Sequence, residues 1–222
     1  RCRKFLMEMR CVIDTAIKFK NNIITRTKCC NNIERFFNLA TPEEKKRVWY
    51  AVERAFCDGL AVKYRIDIGI STGIVSAISP QKGWEENKKQ ARKFCQSVKL
   101  SHDNLGTCGA TKDNVKKANR IFNSKGTDQE IWSILNGNKT QRFFKNLLYP
   151  YSSEYVTIDR HAINVVLGRV PNENEHRLTD RQYVFMEDCY KRTAKKLGLI
   201  PSTLQSITWE ACRRLNIGDR NV

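Results

Sequence analysis

Four short polar signatures constrain this chain more than any other feature, because each opens a helix. Thr41-Pro42-Glu43-Glu44, Thr127-Asp128-Gln129-Glu130, Thr179-Asp180-Arg181-Gln182 and Ser202-Thr203-Leu204-Gln205 each set a hydroxyl three residues before a Glu or Gln. In that spacing the hydroxyl accepts from the free amides of a first turn. Pro42 stands where its missing N–H costs nothing. The spacing predicts helices from Thr41 to about Cys57, from Thr127 to near Leu135, from Thr179 onward, and from Ser202 after Pro201. The third has Tyr183, Met186, Tyr190, Ala194 and Leu197 on one face. Further helices are expected over residues 66–78, 84–98, 112–122 and 139–148. Tyr155-Val156-Thr157-Ile158 is the one strand candidate and is too short to build a sheet. The expected fold class is all-α.

At 222 residues and 41% hydrophobic, the chain can bury one large core or two small ones. It contains no apolar run near the roughly 20 residues that cross a bilayer, and the basic start Arg1-Cys2-Arg3-Lys4 lacks the apolar segment of a secretory signal. Forty Lys+Arg against 23 Asp+Glu leave a net charge of +17. Such an excess attracts polyanions, DNA or RNA foremost. A membrane surface asks for a basic helix with a strongly apolar opposite face, and a merely soluble basic protein is the plain alternative. The nine cysteines, Cys2 and Cys11 among them, are odd in number and include no C-x-x-C pair. They suggest neither a zinc finger nor a disulfide framework. Reduced, buried thiols in a cytoplasmic protein are expected.

The stretch from Ile131 to Val166 carries the chemistry. A short helix ends at Leu135, Asn136-Gly137-Asn138 make a tight turn, and a second helix starts at Lys139-Thr140. Asn and Gly accept the left-handed backbone expected of such a turn, and the amides opening the second helix can hold a phosphate. This is a helix-hairpin-helix over about 127–148, which grips a DNA backbone without reading sequence.

Gly137-Asn138-Lys139-Thr140, followed by Val156-Thr157-Ile158-Asp159-Arg160-His161-Ala162 with Asp159 twenty positions after Lys139, resembles the endonuclease III and adenine glycosylase superfamily. Its hairpin has the form L-P-G-V-G-x-K-T and precedes a V-D-T-H-V segment. Upstream, residues 74–81 (I-V-S-A-I-S-P-Q) resemble the family's helix ending in L-S-x-Q, and residues 112–122 its K-A-x-x-I helix. Four blocks agree in order and approximate spacing from about residue 66 to 166. The chain departs from the pattern at Leu135, where a first hairpin glycine is usual, and at Asn164, where Arg is common. The four-cysteine iron–sulfur loop of many relatives has no counterpart, since only Cys189 and Cys212 stand near the C-terminus. The segments around Trp84-Glu85-Glu86-Asn87 and residues 204–209 are similar to uncharacterised glycosylase-like proteins of phages and bacteria, some thought to act on hypermodified bases.

The resemblance implies a DNA glycosylase with Asp159 as the carboxylate that stabilises positive charge on the sugar and activates a nucleophile. An Asp before a helix is also an ordinary N-cap, and the two roles are compatible. Lys139 matches the lysine that attacks C1′ in bifunctional relatives, which needs a neutral amine; the simpler reading is a phosphate contact, with water as nucleophile. Asn136, Gly137, Asn138 and Thr140 are the expected backbone clamp. Gln81 is the candidate wedge filling the gap behind a flipped base, against the reading of a surface loop residue. Trp84, Trp209 and His161 are candidates for a base pocket, although tryptophan is more often core and His161 fits a hydrogen-bonded structural histidine. His102 and His176 show no partner pattern in the sequence. Lys88-Lys89-Gln90-Ala91-Arg92-Lys93 reads as a solvated helix face that could also track DNA.

The implied architecture is two-lobed, with a middle lobe at 66–153, a second from 1–65 plus 154–222, and the cleft between them. The expected partner is double-stranded DNA, bound by a monomer without cofactor, metal or iron–sulfur cluster. The alternative is a non-catalytic helix-hairpin-helix DNA-binding protein; a basic RNA-binding protein, which would prefer single strands, is a third reading.

Overall fold

The computed structural model describes residues 15–19, 22–103 and 105–215. The basic start, with Cys2 and Cys11, lies outside the described residues. The described residues begin with strands β1 (Ala16–Phe19) and β2 (Asn22–Thr25), then helices α1 (Arg26–Leu39), α2 (Pro42–Lys46), α3 (Trp49–Tyr64), α4 (Ile68–Ile78), α5 (Trp84–Leu100) and α6 (Lys112–Phe122). It continues through α7 (Asp128–Leu135), α8 (Asn138–Leu148), α9 (Arg160–Leu167), a 3-10 turn at Glu173–His176, α10 (Asp180–Leu197) and α11 (Pro201–Arg214). The described chain is thus mostly helical, as expected. It divides into two compact units, residues 50–150 and the flanking residues 1–49 with 151–222. The middle unit therefore begins at Tyr50 rather than at Ile66, and takes in nearly all of α3.

The middle unit is built around α4. Its residues 71–78 are all buried, as befits a helix apolar around its whole circumference, and α5, α6, α7 and α8 pack against it. Small residues permit this crowding. A Cβ at Gly73 would stand 2.8 Å from Cγ2 of Ile131 and 2.9 Å from Cγ2 of Ile121, so only glycine admits α6 and α7 at this distance. The buried hydroxyls bond inward, Ser71 to the carbonyl of Cys57 at 2.7 Å and Ser76 to that of Thr72 at 2.8 Å. Helix α3 is tied on by the Tyr64 hydroxyl, which donates to the Arg92 carbonyl at 3.4 Å.

The flanking unit packs α1, α9, α10 and α11 together around Phe19, Ile33, Phe36, Val165, Val166, Phe185, Met186 and Tyr190. Three sequence expectations are corrected here. The helix expected from Thr41 to Cys57 is two helices. The capping box at Thr41 and Glu44 forms, but the chain turns extended at Arg47 (φ −76°, ψ 123°). A capping signature marks a start and says nothing of length. Ion pairs from Arg47 to Glu210 at 2.7 Å and from Arg214 to Glu44 at 2.9 Å fasten the short α2 to α11. The last helix starts at Pro201, its first-turn residue, and not at Ser202, which is buried inside it.

Strand pairing is the third correction. β1 and β2 form an antiparallel hairpin, Ala16 opposite Thr25 and Phe19 opposite Asn22, whose alternation is only four residues long. The expected strand at 155–158 is not one, and among the described residues it pairs with no strand. Side chains of α10 serve it instead: Oε1 of Glu187 accepts the Val156 N–H at 2.9 Å, and the Tyr183 hydroxyl accepts the Ile158 N–H at 2.9 Å while donating to the Val156 carbonyl at 3.1 Å.

Candidate functional site

In the middle unit, α7 and α8 are joined by two residues. Asn136 adopts the left-handed conformation (φ 44°, ψ 50°) and donates its N–H to the Trp132 carbonyl at 3.4 Å. Gly137 does not share it: at φ −171° its backbone is extended, so Asn136 alone meets the left-handed demand. Gly137 is the N-cap of α8 and offers no side-chain cap. The first rung of α8 runs from the Gln141 N–H to the Gly137 carbonyl at 2.9 Å, and Thr140 Oγ1 donates to the same carbonyl at 3.1 Å. The amides of the first turn are thus not covered by a capping side chain at 137, which is the requirement for anion binding at a helix start. Lys139 is exposed beside them, while Asn138 and Thr140 are half-buried.

The hairpin is braced from within. Gln141 Nε2 donates to the Trp132 carbonyl at 2.9 Å and Lys117 Nζ to the Leu135 carbonyl at 3.2 Å, so two carbonyls of the last turn of α7 have side-chain partners. Arg142 donates to Asn138 Oδ1 at 2.9 Å and lies 5.2 Å over the Trp132 ring. Lys145 pairs with Asp128, and the Tyr149 hydroxyl donates to the same carboxylate at 2.8 Å, joining the start of α7 to the end of α8.

Gln81 is exposed, with φ 63°, at the third position of a turn closed by the Lys82 N–H on the Ser79 carbonyl at 3.2 Å. Pro80 precedes it, and glycine usually occupies such a position. A non-glycine residue held there stores about 1 kcal/mol of strain, which tends to accumulate at functional loops. Trp84, three residues on, packs edge-on to Phe56 and to Phe143, both with centroids at 6.1 Å. Its contacts are those of a packing residue.

In the flanking unit, Asp159 ends the segment held by Tyr183 and Glu187 and caps α9. Its Oδ1 accepts the Ala162 N–H at 2.8 Å. The residue is half-buried, and among the described residues no other hydrogen bond uses its carboxylate. His161 is buried, its ring perpendicular to that of Trp209 at 5.7 Å, and Arg213 covers Trp209 at 4.7 Å. His176 has a partner that no sequence pattern marked: its Nε2 lies 3.2 Å from Oδ1 of the buried Asn164. Asp159 and the hairpin with Lys139 belong to different units. The sequence pattern marks Tyr183 only as part of an apolar helix face and does not mark Glu187, although a buried acid four residues after a core tyrosine is the signal that could have pointed to both.

The comparison with protein families decides the chain's kinship. The sequence pattern of a family of unknown function, DUF7178, matches residues 15–216. The chain belongs to that family. No curated protein and no solved structure matches it. Among the described residues no group of three or more His, Cys, Asp or Glu side chains is placed to hold a metal ion, and no helix is long and apolar enough to cross a membrane.

Proposed function

We propose that this protein is a DNA glycosylase of the helix-hairpin-helix type, removing a modified or damaged base from duplex DNA. The observation that carries the reading is the division of labour at Asp159, where one carboxylate oxygen caps α9 and the rest of the group is uncommitted among the described residues. A carboxylate so fixed can face a developing cation without moving. As the bond between C1′ and the base nitrogen breaks, the sugar becomes cationic and Asp159 stabilises it. Water adds at C1′ and gives its proton to Asp159, and the base leaves. The turn at Asn136 and Gly137, with the amides of Asn138, Lys139 and Thr140, clamps a phosphate. Gln81, on its strained turn, fills the space behind the extruded base. The exposure of Lys139 favours a phosphate contact, so water is the nucleophile and the enzyme is monofunctional. The net charge of +17 supplies the attraction for the duplex.

The test is incubation with duplexes carrying oxidised, alkylated, mismatched and deaminated bases, and with phage genomes containing hypermodified cytosine or thymine. Mass spectrometry identifies any free base, and borohydride trapping asks whether a covalent lysine adduct forms. Base release that vanishes in Asp159→Asn supports the reading. DNA binding without release from any substrate makes the protein a non-catalytic binding module, and a borohydride adduct restores Lys139 as nucleophile.

A further inference from the structure

Helix α3 is apolar on two sides. Its inner side buries Tyr50, Cys57, Leu60 and Tyr64. An ordinary surface helix is polar on the other side. The outer side of α3 instead carries Val52, Ala55, Gly59 and Val62, with Val52 61% and Val62 80% exposed and Ala55 and Gly59 exposed between them. Their spacing of three, four and three residues is that of the a and d positions of a two-stranded coiled coil. We propose that this outer side is the interface of a parallel homodimer, covered by α3 of a second copy of the chain. The inference does not rest on any action on DNA, and it replaces the monomer expected from the sequence.

The shape of the face points to a copy of itself. Gly59 lies in the interior of a helix, where glycine is less favourable than alanine. Nothing in its own chain asks for it, since a Cβ built there meets no atom within 4 Å. With Ala55 it leaves a hollow, and Val52 and Val62 stand as knobs on either side. One face thus holds both halves of a knobs-into-holes contact, which is what a twofold dimer requires.

Charge fixes the direction. Asp58 and Lys63 flank the seam at a g position and the following e position, and both are exposed. Asp58 accepts from Arg54 at 2.9 Å with half of its side chain still open. Lys63 Nζ lies 5.4 Å over the Tyr64 ring and joins no ion pair among the described residues. In a parallel pair each g residue faces the next e residue of its partner, so Asp58 of each copy meets Lys63 of the other, twice by symmetry. An antiparallel pair with the same overlap would set Asp58 against Asp58. The seam is two heptads long, at the small end of specific interfaces, below roughly 1,200 Å². The dimer is therefore reversible and forms in the micromolar range.

The experiment is sedimentation velocity on the full chain from about 1 to 200 micromolar. Monomer should give way to dimer as concentration rises, and Tm should rise with it. Val62→Glu, at a position open to solvent, should keep the wild-type circular dichroism and stay monomeric throughout. Asp58→Lys and Lys63→Asp should each weaken association roughly tenfold by setting like charges together. Combined in one chain they should restore it, because the pair forms again with its signs exchanged. A monomer at every concentration would overturn the proposal, as would a dimer that Val62→Glu leaves intact. A double variant no better than the single ones would overturn the parallel pairing.

Discussion

The hydroxyl of Tyr183 does for Ile158 what a neighbouring strand would do, accepting its N–H at 2.9 Å and returning a bond to the Val156 carbonyl at 3.1 Å. The segment before Asp159 is thereby held by side chains of a helix. Tyr183→Phe leaves both buried backbone groups without that partner and should cost about 1–3 kcal/mol, read as a lower midpoint in urea. If Asp159 acts on a sugar, base release should fall by more than the lost folded fraction accounts for.

Asp159 has two separable duties, and two substitutions part them. Asn is as good an N-cap as Asp, so Asp159→Asn should unfold within a few tenths of a kcal/mol of wild type yet lose base release by orders of magnitude. Asp159→Ala should lose about 1 kcal/mol as well. An Asp159→Asn protein that releases base at the wild-type rate sinks the glycosylase reading.

Two glycines on helices should respond in opposite senses. Gly73→Ala drives a methyl against Ile121 and Ile131 and should destabilise by roughly 1–3 kcal/mol. Gly59, in α3, has nothing within 4 Å of its virtual Cβ, so Gly59→Ala should stabilise by about 0.5–1 kcal/mol. Paired thermal melts decide both.

Lys139→Ala should weaken duplex binding to the same degree for unrelated sequences. The slope of log affinity against log salt should shrink by about one. An effect confined to one sequence would mean that Lys139 reads a base edge.

Glu44 links the two ends of the flanking unit. Burial raises its carboxyl, but the hydrogen bond from Arg214, the Thr41 N–H and the Arg214 charge together hold it below the ordinary 4.5. A carboxylate depressed by folding stabilises the fold above its unfolded value and loses that contribution as pH falls through its folded one. Glu44→Gln keeps a capping-box side chain but not the charge. Its Tm deficit should therefore be present near neutral pH and close progressively below about pH 4.5.

Three of the four capping signatures were followed by the structure, and the fourth, at Ser202, fell one residue inside a helix that Pro201 opens. The hydroxyls of Thr41, Thr127 and Thr179 cap as their spacing implies, and the turn at Asn136 falls between helices ending and starting where expected. The failures are tertiary or marginal. The break at Arg47 is secured by partners more than 160 residues away, a distance no local pattern encodes. The β1–β2 hairpin is too short for its alternation to stand out, and helix α1, with Thr25 as cap, lacks the Glu or Gln that marked the others. At the candidate site, Asp159 and the hairpin were legible because each rests on contiguous residues. Tyr183 and Glu187 were not, since their partners are backbone atoms about thirty positions earlier.

Helix α10 carries Tyr183, Glu187 and Cys189 within two turns. A rod of hydrogen-bonded backbone does not bend to accommodate one tenant at a time. Whatever shifts its register by a fraction of an ångström is felt by the peptide groups ahead of position 159, so a packing change anywhere along this helix reaches the Asp159 carboxylate through the bonds from Tyr183 and Glu187.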